Sequence, residues 1–250
     1  MNLPERKGAP RVARRPRRVP VTPDVVLSLL APLYGPFVWQ ARMAPLDELI
    51  FTVLTQHTSD LNASRAYEEM RRRYPDWDDV VAAPVAGLAD AIRSGGLADQ
   101  KSVRIQQILA EVKRRSGALD LRFLGNMPLG DARGWLRALP GVGPKTAAVV
   151  LAFAFGMPAM PVDTHIHRVS GRLGFISKKT TADQAHGVLE AMVRPEDRFA
   201  MHVALITHGR RTCKALRPLC GECVLAGVCP SRKKFVARSA SSSPSGRGLR

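Results

Sequence analysis

The sequence predicts an all-α protein. Apolar residues recur at helical spacing through almost every ordered stretch, no stretch alternates polar and apolar residues as a half-buried strand does, and no period of solenoid length repeats. With 250 residues and 45% hydrophobic content, the chain can bury the core of one large domain or of two modest lobes.

The elements follow in order. In Leu46–Gln56 the residues Leu46, Leu49, Ile50, Val53 and Leu54 line one face at i, i+3, i+4, i+7 and i+8. Asp60 can open a second helix that runs to Tyr74, where Pro75 stops it. A third spans Pro84–Arg93 and ends at Gly95-Gly96. A fourth, Lys101–Ser116, carries Val103, Ile105, Ile108, Leu109 and Val112 and ends at Gly117. Shorter helices are expected at 131–139, 145–155, 163–173, 182–192 and 197–209.

The formal charge is +17 and unevenly placed. Residues 1–20 hold seven Lys/Arg against Glu5 alone, and residues 231–250 hold six against none, so the two ends carry +12. Both are rich in Pro, Ser, Gly and Arg, too poor in apolar residues to bury surface, and are expected to be disordered basic tails. Such arms track polyanions, with nucleic acid the default partner, or else merely solubilise. No apolar run approaches the roughly 20 residues that span a bilayer, so no membrane partner is expected. The N-terminus lacks the apolar centre of a signal peptide. A cytoplasmic, nucleoid-associated protein is expected if the source is bacterial. The Arg-rich, acid-poor N-terminus leaves organellar or nuclear targeting open.

Between two predicted helices stands Leu139-Pro140-Gly141-Val142-Gly143-Pro144-Lys145. Pro140 ends one helix, the glycines permit a tight turn, and Pro144 suits the first turn of the next helix. Amides at that second helix start point outward beside the positive end of the dipole, a site for a phosphate or other anion. A plain tight turn has the same local pattern. Lys145 lies just inside this helix. The helix N-terminus and partial burial would both disfavour its ammonium, making it a candidate amine nucleophile, or it is a phosphate contact. Eighteen residues later, in Pro161-Val162-Asp163-Thr164-His165, Asp163 is an N-cap or a carboxylate able to take the lysine proton and offset developing positive charge.

Cys213, Cys220, Cys223 and Cys229 are separated by six, two and five residues. In a reducing compartment this cluster reads as a metal site, and four thiolates suit zinc or an iron–sulfur cluster.

Leu-Pro-Gly-Val-Gly-x-Lys-Thr-Ala at 139–147 and Val-Asp-Thr-His at 162–165 resemble the helix-hairpin-helix, Gly/Pro-Asp DNA glycosylases, specifically the endonuclease III family. The cysteine spacing resembles that family's cluster loop. The resemblance covers roughly residues 25–232 and implies two helical lobes with a DNA cleft between them. A six-helix barrel with the hairpin occupies 38–157, and an iron–sulfur lobe combines 21–37 with 158–233. Disordered tails are expected at 1–20 and 234–250.

It further implies a bifunctional DNA glycosylase and abasic-site lyase of base excision repair, acting on damaged, oxidised pyrimidines. Lys145 would be the Schiff-base nucleophile, Asp163 essential, and the four cysteines ligands of a [4Fe-4S] cluster. Gly141, Val142 and Gly143 would hold DNA backbone, with Lys214 and Arg217 of the cluster loop. Gln56 would fill the vacated base position and Leu97 would act as wedge. Thr58, His57 and His165 are candidate pocket residues, because Gln-His-Thr-Ser-Asp at 56–60 departs from the Gln-Ala-Thr-Asp of many bacterial relatives. The other histidines are expected to pack or cap helices. The expected partner is double-stranded DNA with a damaged base or abasic site, bound by a monomer. A sister glycosylase for mismatched or alkylated bases, and a noncatalytic DNA-binding homologue, remain alternatives.

Overall fold

The computed structural model describes residues 21–240, with side chains to residue 236. The tail expectations for 1–20 and 241–250 lie outside the described residues. Within them every regular element is helical.

Helix α1 (Pro23–Tyr34) starts from a Thr22 cap. Helix α2 (Pro45–Leu54) carries the predicted stripe and also buries Glu48, Phe51 and Thr52. A helix buried all round belongs at the centre of its lobe. Around it stand α3 (Asp60–Arg73), α4 (Trp77–Ala82), α5 (Val85–Ala91) and α6 (Ala98–Ser116). Helices α7 (Leu129–Arg137) and α8 (Pro144–Phe155) complete this group. Ser59, not Asp60, caps α3, its hydroxyl accepting from Asn62 N at 3.3 Å. Helix α4 was absent from the periodicity reading, because six residues are too few to show a stripe.

Beyond come α9 (Thr164–Leu173), α10 (Ala182–Met192), α11 (Arg198–Arg211) and α12 (Arg232–Ala240). Helix α12 corrects the expectation of a disordered tail from residue 234. Phe235, the one aromatic side chain there, lies under the Arg172 guanidinium, 4.3 Å from carbon to ring centre, and so gives the segment a packing partner.

Two apolar cores result. The first draws its buried residues from Leu46 to Ala159. The second joins Val26 and Leu30 of α1 to residues between Met160 and Leu225. The chain thus passes from one core to the other between Ala159 and Met160. Glu190 fastens the junction: its carboxylate accepts from Arg133 of α7 at 2.7 Å and from Met160 N at 2.9 Å. Within the second lobe α9 and α11 approach closely because Gly209 has no side chain; a Cβ there would stand 2.8 Å from His165 Cβ.

Candidate active site

The hairpin between α7 and α8 takes the shape its glycines allow. Gly141 has φ +68°, and any Cβ at that position would overlap the Arg104 guanidinium, with Nε at 2.5 Å. Val142 N donates to Leu139 O at 3.2 Å, and the Val142 side chain is buried in the first core. Of the three predicted backbone-holding residues, Val142 therefore serves the turn and the core. The N–H groups of Gly141 and Gly143 find no partner among the described residues. They stand at the start of α8, where the helix dipole favours an anion.

Lys145, in the first turn of α8, and Asp163, the N-cap of α9, line one cleft of about 1140 Å³. Asp163 does cap its helix, Oδ1 accepting from Ile166 N at 2.7 Å, so the carboxylate is held rigidly while bordering the cleft. The partial burial expected for Lys145 is absent: its side chain is exposed. It borders the open cleft, where no packed element covers it.

Behind the pair sits His202 of α11, buried, its Nδ1–H donating to Pro161 O at 2.9 Å. Burial pushes this imidazole down to about 4, and the nearby charges of Lys145 and Arg210 push the same way against the hydrogen bond and Asp163. The site thus backs its lysine with a neutral ring. Opposite, the cleft is lined by Phe51 and Tyr67, packed edge to face, by Phe153, and by Arg42, whose guanidinium lies over the Phe51 and Phe153 rings. Arg42 is paired with the fully buried Glu48. Of the three candidate pocket residues, Thr58 and His165 border this space and His57 does not.

The two predicted DNA-entering loops behave differently from one another. Leu97 is half exposed at 49% and left-handed, φ 50°. Gln56 turns inward, Nε2 donating to Thr146 Oγ1 of α8 at 3.4 Å. Its neighbour His57 is exposed and left-handed, φ 55°.

The four cysteines, none of them in a disulfide, surround a cavity shared with Val169, Leu173, Leu225 and Phe235. Two arginines one turn apart on α9 fix the loop that carries them. Arg168 donates to Cys213 O at 3.1 Å. Arg172 donates to Cys213 Sγ at 3.2 Å, to Lys214 O at 2.7 Å and to Ala215 O at 2.7 Å. Lys214 and Arg217 are both exposed on this loop.

Comparison with known proteins sets this geometry in a family. The model of HhH-GPD superfamily base excision DNA repair proteins matches residues 50–195. The endonuclease III of Thermotoga maritima is 37% identical over 74% of this chain and 82% of its own length. The chain belongs to the endonuclease III family. A plant relative from Arabidopsis thaliana is 34% identical over 66% of this chain, which spans 56% of that protein. A solved endonuclease III–DNA trapped covalent intermediate superimposes with a TM-score of 0.73 at 31% identity, covering 86% of this chain and 99% of the other. As an endonuclease III family member the protein is an enzyme of the DNA glycosylase and abasic-site lyase class, and DNA is its partner.

The iron–sulfur binding domain of endonuclease III matches residues 213–229, the span from the first cysteine to the last, so the cofactor is a [4Fe-4S] cluster. The residues fit it. Burial, with the neighbouring cysteines, pushes the Cys220, Cys223 and Cys229 thiols up. Four cysteines set around one cavity are the donor set of an iron–sulfur cluster. Among the described residues no helix is long and apolar enough to cross a membrane.

Two of the roles described here went unread in the sequence. Arg168 and Arg172 had a signal, two cations at i, i+4 on the helix that follows Asp163. His202 had none beyond being a histidine among apolar residues.

Proposed function

We propose that this protein removes oxidised pyrimidines from duplex DNA and then nicks the strand, with Lys145 as nucleophile and Asp163 as its carboxylate partner. One observation carries the reading: a lysine from the first lobe and an aspartate from the second border the same cleft. The phosphate of the damaged nucleotide sits on the Gly141 and Gly143 amides. Lys214 and Arg217 add cations further along the backbone, and Thr58 and His165 line the pocket for the flipped base.

Asp163 takes a proton from the Lys145 ammonium, and the freed electron pair attacks C1′. The bond from C1′ to the base breaks, and the base leaves with its electrons and gains a proton. Asp163 hands that proton to the departing base, and its regained carboxylate offsets the positive charge that grows on the sugar and on Nζ. Nζ loses a second proton, its electron pair expels the ring oxygen, which takes up a proton, and a protonated imine joins Nζ to C1′. Departure of a C2′ proton then drives the C3′–O bond to break, releasing the phosphate and cutting the strand. Bound by Cys213, Cys220, Cys223 and Cys229, the cluster supplies folding energy to a loop with little core of its own.

Borohydride trapping tests the assignment. Wild-type protein incubated with a lesion duplex and borohydride should form a stable protein–DNA crosslink, and Lys145→Gln should form neither crosslink nor nick while still binding the duplex. Full trapping by Lys145→Gln would assign the nucleophile elsewhere. Excision without trapping by the wild type would exclude the lyase step. A panel of single-lesion duplexes, including mismatched and alkylated bases, checks the substrate class.

A further inference from the structure

One end of the cleft holds a charge pair that the proposed chemistry does not use. Lys145, Val149 and Phe153 follow at i, i+4 and i+8 on α8 and all line the cleft, so this wall runs for about 12 Å along the helix. At the Phe153 end stands Arg42. Its guanidinium lies 5.0 Å from the Phe51 ring centre and 5.2 Å from that of Phe153. Nε donates to Glu48 Oε2 at 2.9 Å and Nη2 donates to Oε1, which also accepts from Thr52 Oγ1 at 3.3 Å. The carboxylate is fully buried, whereas the Arg42 side chain is 43% exposed and borders the cleft. Its remaining nitrogen, Nη1, makes no hydrogen bond among the described residues. Burying a carboxylate costs desolvation that pairing seldom repays, so the pair is a poor way to stabilise this corner. What it does secure is geometry. The bidentate carboxylate fixes the guanidinium plane beside the two rings and leaves the Nη1 hydrogens unspent. Arginine has donors only, so this edge suits an acceptor. Because Glu48 cancels the charge, a neutral carbonyl suits it better than a phosphate.

We infer that Arg42, held by Glu48, is a specificity residue that reads the edge of the flipped base farthest from the sugar and selects a carbonyl at C4 over an amine. Bases derived from uracil or thymine carry the carbonyl there, and those derived from cytosine carry the amine. The inference rests on the glycosylase reading above and divides the oxidised pyrimidines named there into two classes. In a pyrimidine nucleotide C4 lies across the ring from N1, the atom bonded to C1′. A base whose C1′ is at Lys145 extends past Val149 with C4 towards Phe153 and Arg42. A carbonyl oxygen there accepts from Nη1. An amine sets donor against donor and, once the base has filled the corner, leaves both without partners, the condition under which hydrogen bonding discriminates most strongly.

Two duplexes test it, one with a single 5-hydroxyuracil and one with a single 5-hydroxycytosine, each opposite guanine. The two bases differ at C4 and in the N3 proton that accompanies it. Single-turnover excision by the full chain is measured for wild type and for Arg42→Met/Glu48→Leu, which removes the reading group and leaves no charge buried. The double variant reports how the two bases differ as leaving groups, so the preference is the wild-type rate ratio divided by the variant's ratio. That quotient should favour 5-hydroxyuracil by about tenfold or more. A merely structural role would slow both substrates alike, and a quotient near one, or one favouring 5-hydroxycytosine, overturns the inference. If the double variant fails to fold, Glu48→Gln takes its place, because the amide keeps the shape but offers Arg42 one acceptor oxygen in place of two. The quotient should then still exceed about threefold, and a value near one overturns the inference as before. Wild-type protein that excises neither base and does not trap on a preformed abasic site overturns the glycosylase reading, and the inference with it. Wild-type trapping and excision with a quotient near one overturn the inference alone.

Discussion

Lowering the pH from 7 to 5 should destabilise the protein through His202, the neutral ring behind the active-site lysine. The ring is 5% exposed, packs on the edge of Phe153 at 5.4 Å, and spends its one N–H on the Pro161 carbonyl. A second proton would place a charge where burial is the dominant influence and where Lys145 and Arg210 already contribute positive charge. The folded-state pKa is about 4, below the ordinary value of about 6.5 that the unfolded chain has. The unfolded state therefore binds the proton first. Stability from this group is complete above about pH 6.5 and is lost as pH falls towards 4. At about 1.4 kcal/mol per pH unit, the loss between pH 7 and 5 is about 2 kcal/mol from His202 alone. His202→Gln keeps an amide donor for Pro161 but cannot titrate. Urea unfolding at both pH values, for wild type and variant, isolates the effect. The wild type should lose about 2 kcal/mol more than His202→Gln over that interval. Equal losses in the two proteins would refute the reasoning, because they would mean that His202 takes up its proton alike in both states.

Three further outcomes follow from the same structure. Arg42→Met strands the fully buried Glu48 carboxylate and should cost about 3 kcal/mol in urea unfolding, most of it recovered in Arg42→Met/Glu48→Leu, where no charge is left buried. Gly141→Ala forces a Cβ into the Arg104 guanidinium at a φ of +68° and should cost on the order of 1–2 kcal/mol in stability, with undamaged-duplex affinity by fluorescence anisotropy falling as the hairpin amides shift. Deleting residues 1–20 and 241–250 removes a net charge of +8; the slope of log K against log salt should flatten by up to about 7, and an unchanged slope would mean that these ends do not meet DNA.

The helices that could be read from the sequence are those with a long stripe on one face. Leu46 to Leu54 and Ile105 to Val112 are buried where the periodicity put them, and the turn glycines at 117 and 141 have the positive φ their positions called for. The hairpin, Lys145, Asp163 and the four cysteines were legible because their chemistry depends on residue type and short spacing. What escaped depends on contacts across the chain. A left-handed His57 carries no local mark, because its conformation is imposed by packing around it. Gln56 and His57 are adjacent, and only the Thr146 hydroxyl on a different helix decides which one turns in. Lys101 reads as the solvated first turn of a helix until the carbonyls 47 and 6 residues away are seen to converge on it. Lys145 was misjudged for a related reason, since burial is set by what packs over a helix start and not by the helix itself.

Helix α1 is made long before the residues it packs against. Its inward residues Val26 and Leu30 belong to a core whose other members begin at Met160 and extend to Leu225. On the ribosome, at about 5–20 residues per second, α1 waits on the order of ten to forty seconds for α11 to be synthesised. Meanwhile the first lobe, whose core needs nothing beyond Ala159, can close as it leaves the exit tunnel. A nascent chain whose first 160 residues have cleared the tunnel would thus present a finished first lobe beside an orphaned amphipathic helix, a handle for a chaperone or a protease. It would also expose Lys145 without Asp163, so an unfinished chain would hold only one of the two residues that border the cleft from opposite lobes.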